Sequence, residues 1–148
     1  MAARPPADAR ELGRRAARQL LSQGERTSPL ALAAQAGVAI EERRAPPPAQ
    51  AGLRSEYQPR PPRIVLYREP LSRLAAVLRA RPGRAPSEAE LVALHIAHEL
   101  CHHLEADGRF GRLTRQESET AAHAFAAELC GLWWRCPCCP LPLHQPAS

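Results

Sequence analysis

Two consecutive segments in the second half of the chain each begin with the pattern of a helix capping box. In each segment a hydroxyl residue precedes a glutamate by three positions, so each side chain can cap the other residue's backbone amide. The two pairs are Ser87 with Glu90 and Thr114 with Glu117. The first segment continues to Gly108, a residue type that commonly ends helices, and the second is rich in alanine. The sequence therefore predicts two helices, over 88–106 and 115–134, joined by a short loop.

The rest of the chain predicts shorter elements. They are helices over 8–23 and 28–37, a strand that begins at Val38, strands around Leu53–Tyr57 and Arg63–Tyr67, and a helix that ends at Pro82-Gly83. The length of 148 residues fits one domain, and only 4% of the residues are aromatic, so the core must be built mainly from aliphatic side chains. We predict a mostly helical α+β domain with a small β-sheet, in which the two capped helices pack against each other.

Proline and cysteine mark two irregular segments. Three consecutive prolines predict an exposed, flexible loop over 43–51, because proline fits neither a helix interior nor a central strand. We assign residues 1–135 to the domain and 136–148 to an irregular tail rich in cysteine and proline. The cysteines of this tail can hold a structural metal, although their spacing is not that of the usual zinc pairs. The alternative is that they bind no metal. They are Cys136, Cys138 and Cys139.

Cysteine usage, apolar runs and net charge limit where the protein can be located and which partners it can have. No apolar stretch has the length of a membrane span, and the beginning of the chain lacks the apolar core of a secretory signal. Five cysteines, clustered late, do not resemble a secreted disulfide framework. We therefore expect a cytoplasmic protein that does not contact a membrane. The net charge of +5 comes from dispersed arginines, so direct binding to nucleic acid is not expected.

His98, Glu99 and His102 form an HExxH motif in the middle of the first capped helix. Residues four apart return to nearly the same helix face one turn along, so the two histidines can bind one zinc ion together. Glu99 lies beside the first ligand, where its carboxylate can take a proton from an attacking water and deliver it to a leaving amine. The alternative is a histidine cluster without a metal. Leucines around the motif favour a metal site, because they bury the helix and leave the His98/His102 edge on a cleft.

The third ligand has to come from elsewhere. An HExxHxxGxxH continuation is excluded because positions 105 and 108 are Glu and Gly. The next helix offers Glu117, Glu119 and Glu128. Glu117 serves the capping box, and Glu128 lies roughly two to three turns further along. Glu119, about one turn into the helix, is close enough to the connecting loop to face the first helix, and it is the predicted third ligand.

The stretches "AHELCHHL" and "ESETAAHAFAAEL" resemble the metal-binding region of the ImmA/IrrE family of metallo-endopeptidases. "LALAAQAGVAI" and "IVLY" show a weaker likeness to earlier parts of that family. The resemblance implies a gluzincin-like zinc endopeptidase that holds one zinc ion through His98, His102 and Glu119 and uses Glu99 as the general base. It also implies a protein substrate, a helix-turn-helix repressor in a stress or mobile-element regulatory circuit.

Two positions near the motif depart from the family's pattern. Cys101 stands where glycine is usual, and its thiol can either approach the metal or act as a small buried hydrophobe. A thiol at the metal would favour a second function, a non-catalytic zinc-stabilised binding module. His123 stands where Asn or Asp is common; it can orient Glu119, stabilise an oxyanion or simply pack. Tyr57 can donate a hydrogen bond to an oxyanion, and His95 is expected at the periphery of the site.

Overall fold

Helices dominate the fold, and three short strands form one small sheet. The computed structural model describes residues 7–23, 28–83 and 85–131. Within these residues the α-helices are α1 (Ala7–Ser22), α2 (Pro29–Gln35), α3 (Arg68–Arg79), α4 (Glu88–Ala106) and α5 (Arg115–Cys130), and the strands are β1 (Ala39–Arg43), β2 (Ser55–Pro59) and β3 (Pro62–Tyr67). The predicted α+β class is confirmed. The predicted Cys136, Cys138 and Cys139 cluster lies outside the described residues.

The sheet is built around β3, in the order β1-β3-β2. β1 pairs parallel to β3, with Ile40 opposite Ile64, and β2 pairs antiparallel to β3, with Tyr57 opposite the same residue. The four residues Ile64, Val65, Leu66 and Tyr67 are all buried, as expected for a central strand that is covered on both faces. The apolar run "IVLY", predicted as a strand, is thus the central strand of the sheet. β2 begins two residues later than predicted.

The proline-rich segment is exposed along most of its length, as predicted. At its start, Arg43 still pairs with Tyr67 at the end of β1. A single 3-10 turn, Pro48–Gln50, interrupts the loop.

Helix α4 lies at the centre of the fold, where it packs against α5, α2 and α3 and against strands β2 and β3. Its buried face is apolar except for one carboxyl group, that of Glu99. Both capping boxes form as predicted, at Ser87 with Glu90 and at Thr114 with Glu117. These caps fix where α4 and α5 begin. Within the described residues, no helix combines the length and the apolar content needed to cross a membrane.

Helix α1 approaches α5 so closely that only glycine fits at one position. A Cβ atom on Gly13 would lie 3.0 Å from the backbone nitrogen of Phe125 and closer still to the carbonyl oxygen of Ala121. The buried residues of α1 are small, Ala9 and Ala17 beside Gly13, while Leu21 of the apolar pattern is 39% exposed. The α1–α5 contact therefore includes a close backbone approach at Gly13, while Leu12 and Leu20 pack half-buried against the core.

We expect Gly13→Ala to reduce the free energy of unfolding by about 1–3 kcal/mol, the usual cost of overpacking. Alanine is the better helix former by about 1 kcal/mol, but here its methyl group collides with backbone atoms that cannot rotate away. Urea denaturation measures the change. Gly52→Ala is the matched control, since a Cβ there meets no atom within 4 Å, and its stability should change by less than about 0.5 kcal/mol. A Gly13→Ala variant as stable as the wild type would contradict the close contact.

Candidate metal centre

Three side chains from α4 and α5 converge on one point. The Nε2 atoms of His98 and His102 lie 3.2 Å apart. Oε1 of Glu119 lies 3.1 Å from Nε2 of His102, and Oε2 lies 3.3 Å from Nε2 of His98. The structure thus brings together the three residues that the sequence predicted as metal ligands. They form a group that could hold a metal ion.

The donor set and its spacing fit zinc. Ligands about 2.0–2.1 Å from a tetrahedral zinc ion lie about 3.3 Å from one another, close to the three separations observed here. Two imidazole nitrogens and one carboxylate oxygen are donors that zinc commonly takes. Within the described part of the chain, no fourth histidine, cysteine or acidic residue joins the group. Three protein ligands are typical of catalytic zinc sites, which keep one position open.

The ligand group opens towards solvent on the side of Glu119. The side chain of Glu119 is 49% exposed, whereas those of His98 and His102 are 16% and 17% exposed. Small molecules can therefore reach the Glu119 side, while the histidines are fixed by the surrounding helices.

The charges of the site favour a deprotonated Glu119. Hydrogen bonds with His102 and then His98 hold the pKa of the Glu119 carboxyl well below its usual range. For His102, burial acts to lower the pKa, but the bond with Glu119 and the charges of Glu99, Glu119 and Glu105 outweigh it, so the net pKa is raised. Both shifts favour positive charge at this point, the charge that a bound metal ion would supply.

Glu99 is 5% exposed and belongs to the face of α4 that lies under strand β2. Its Oε2 atom accepts a hydrogen bond of 3.1 Å from the hydroxyl of Ser55. Glu99 is adjacent in sequence to His98, and its charge acts on His102. The Ser55 hydroxyl thus holds the carboxylate near the ligand group, of which Glu99 is not a member, and its proton-transfer role stays a prediction.

Tyr57 is two residues beyond Ser55 on the same strand face. Its hydroxyl lies 2.7 Å from Nδ1 of His103, one helical turn after Glu99. The structure therefore pairs Tyr57 with His103 rather than with the ligands, and His103 lies outside the ligand group. Burial raises the pKa of Tyr57.

Two further histidines border the ligands. The ring of His123 meets that of His98 edge to face, with 4.7 Å between the centroids. His95 is half-buried, and its Nδ1 donates a hydrogen bond of 2.7 Å to the carbonyl oxygen of Leu91. Burial lowers the pKa of each to about 4, and the charge of Arg54 acts in the same direction. Both are therefore neutral near pH 7, and the ring of His123 packs directly against that of His98.

Cys101 is 1% exposed and belongs to the hydrophobic core. Burial raises the pKa of its thiol strongly, which disfavours the thiolate that a metal requires. Of the two roles considered for this residue, the structure supports the small buried hydrophobe.

No protein-family model, curated protein or solved structure matches the chain. The resemblance to the ImmA/IrrE family therefore stays a prediction from the sequence motif. The geometry of the site carries the functional argument.

Three residues that contact the site were not predicted from the sequence: Ser55, Glu105 and Ser118. Ser118 lies 3.2 Å from Nδ1 of His102 and donates a short hydrogen bond to Glu105. Weak signals for all three existed. Glu105 follows His102 by three residues on one helix, Ser118 directly precedes Glu119, and Ser55 shares a strand face with Tyr57.

Proposed function

We propose that the protein is a zinc-dependent endopeptidase. The observation that carries this proposal is the convergence of His98, His102 and Glu119 within about one tetrahedral ligand spacing, with the Glu99 carboxylate held alongside by Ser55. A three-ligand group with an adjacent buried carboxylate is the arrangement that metal-assisted hydrolysis of amides needs.

A bound zinc ion would supply Lewis acidity, which polarises a carbonyl group and makes water more acidic. Among the residues of the chain, Glu99 acts as the general base and acid. A carboxylate oxygen takes the proton from the attacking water and passes it to the leaving amine. The hydroxyl of Ser55 holds Oε2 of Glu99 in place and leaves Oε1 for the proton. This assignment gives each carboxyl oxygen a separate task.

The position of β2 supports a peptide as the substrate. In the described residues β2 pairs only with β3, so its other edge is not part of the sheet. Tyr67 donates its amide hydrogen to the carbonyl oxygen of Arg54, so by the alternation of an antiparallel ladder the backbone groups of Ser55 and Tyr57 point to that outer edge. An extended peptide that paired with this edge would run past Ser55, whose side chain contacts Glu99.

We further propose that the natural substrate is a helix-turn-helix transcriptional repressor in a stress or mobile-element circuit, and that the protein acts in the cytoplasm. The ImmA/IrrE-like motif supports the substrate. Cys101 and Cys130 are free thiols, which suits a reducing compartment. Several arginines are paired with glutamates, among them Arg18 with Glu128 and Arg44 with Glu69, so we assign no direct nucleic-acid partner.

A non-catalytic, zinc-stabilised binding module was the alternative, and it rested on Cys101 as a fourth ligand. The burial of Cys101 in the core removes that support. Spectroscopy of the cobalt-substituted protein separates the two functions, because a fourth protein ligand and an exchangeable water give different absorption spectra. We expect the spectrum to change when small anions are added, as an open position requires.

Cleavage is expected to depend on the metal. The zinc-loaded protein is incubated with a peptide library and with unfolded helix-turn-helix repressors, and new termini are identified by mass spectrometry. We expect cuts that disappear after chelation and return when zinc is restored. The peptidase would be contradicted, and the binding module favoured, if zinc bound without any cleavage and the cobalt spectrum did not change when anions were added.

A further inference from the structure

The side of His102 that faces away from the ligand group is held by two polar residues. Nδ1 of His102 lies 3.2 Å from Oγ of Ser118 and 3.6 Å from Oε2 of Glu105. Oγ of Ser118 donates a short hydrogen bond to that same Glu105 oxygen. Three groups from two helices, α4 and α5, thus form a chain that ends at a metal-ligand candidate.

The proton count of this chain fixes its direction. A serine hydroxyl has one proton, and a carboxylate only accepts hydrogen bonds. Since Ser118 gives its proton to Glu105, its oxygen can only accept from His102. Nδ1 of His102 must therefore carry a hydrogen, which in the neutral ring leaves the lone pair on Nε2, the atom that faces Glu119 and His98.

We propose that Glu105 and Ser118 are positioning residues for His102, which hold it by the chain His102 Nδ1–H to Ser118 Oγ–H to Glu105 in the tautomer and orientation that bind metal through Nε2. The proposal rests on the proposed zinc site. It gives α5 a second role, because Glu119 supplies a ligand while its neighbour Ser118 orients another.

The burial of the three groups suits this role. The side chains of His102 and Glu105 are 17% and 24% exposed, so water competes only weakly for the bonds. Partners that hold the second nitrogen of a metal-binding histidine typically affect metal affinity by about 10–100-fold. We expect an effect of this size on zinc affinity here, although neither Ser118 nor Glu105 is part of the ligand group.

Zinc affinity, measured by competition with a chelator that reports zinc by colour, tests the proposal without any need for peptidase activity. Ser118→Ala and Glu105→Gln should each weaken zinc binding by about 10–100-fold. Ser118→Thr keeps the hydroxyl and should therefore bind zinc with nearly the wild-type affinity. Because one chain connects the two residues, the double variant should bind zinc about as weakly as Ser118→Ala alone. Additive losses, or losses below about threefold, would overturn the proposal.

A second serine–glutamate bond provides a matched control. Ser72 donates a hydrogen bond of 2.6 Å to Glu88 at the start of α4, and no histidine is part of that pair. Ser72→Ala and Glu88→Gln remove a similar bond and should leave zinc affinity unchanged. A loss in these variants equal to that at Ser118 would also overturn the proposal, since it would show only that α4 had been weakened.

Nuclear magnetic resonance of the metal-free protein separates this proposal from the zinc site itself. The Nδ1 proton of His102 should exchange slowly with water in the wild type and quickly in Ser118→Ala. Fast exchange of this proton in the wild type would refute the hydrogen-bond chain from His102 to Glu105, even if zinc binds and peptides are cut. Slow exchange without peptide cleavage would leave the chain intact and count against the peptidase alone.

Discussion

Glu99→Gln is expected to keep its zinc and lose its peptidase activity, with kcat/KM lower by about 10²–10⁴-fold. The substitution keeps the shape of the side chain and an oxygen that can accept the hydrogen bond from Ser55. An amide cannot take a proton from water near pH 7, so only the proton transfer is lost. The loss should appear in kcat, while KM for the same peptide changes little. Peptide cleavage with equal zinc content in both proteins is the measurement.

Two variants test whether the loss belongs to Glu99 alone. Glu128→Gln makes the same chemical change on α5, at a glutamate that pairs with Arg18, and should retain full activity. Ser55→Ala should reduce kcat by a smaller factor than Glu99→Gln, because it frees the carboxylate without removing it. Undiminished cleavage by Glu99→Gln would rule out Glu99 as the general base.

Local patterns in the sequence predicted most of the candidate ligand group. His98 and His102 share a face because of helix geometry alone, and the caps at Ser87 and Thr114 set the start of each helix. Glu119 could be chosen because it lies about one turn after its cap, where two helices joined by a short loop are still close. Interactions of this kind depend on a few neighbouring residues, so one sequence is enough to predict them.

Contacts between distant segments were not predictable in the same way. The bond from Ser55 to Glu99 joins residues 44 positions apart and depends on which face of β2 covers α4. The parallel pairing of β1 with β3 and the close approach at Gly13 likewise depend on how whole elements pack. A glycine within a helical pattern is a weak signal, because it is compatible with a loose turn as well as with a close helix crossing.

Cys101 shows how a family pattern and the packing of one chain can differ. The resemblance predicts glycine there, but α4 turns this position towards Ala97, Leu104 and the rest of the core. A small apolar side chain fits that environment and is separated from the ligand group. The packing of the helix therefore accounts for Cys101, which takes no part in the candidate ligand group.

Glu119→Ala is expected to weaken zinc binding by more than about 100-fold, beyond the effect of losing a residue that only orients a ligand. The carboxylate supplies one of three donors and a negative charge at the point where the two histidines meet. In the metal-free protein the same change should lower the pKa of His102, because a bond and a charge that favour its cation are removed. Chelator competition and histidine titration by nuclear magnetic resonance measure the two effects.

The other glutamates of α5 are the controls for this prediction, since each was a candidate for the third ligand. Glu117→Ala removes half of the capping box and should cost about 0.3–1.5 kcal/mol of stability without changing zinc affinity. Glu128→Ala breaks the pair with Arg18 and should likewise leave zinc binding intact. The site would be refuted if zinc binding stayed tight in Glu119→Ala but was lost in Glu128→Ala. That result would show that the third ligand lies further along α5. Loss confined to Glu119→Ala ties the metal to the one turn of α5 that faces both histidines.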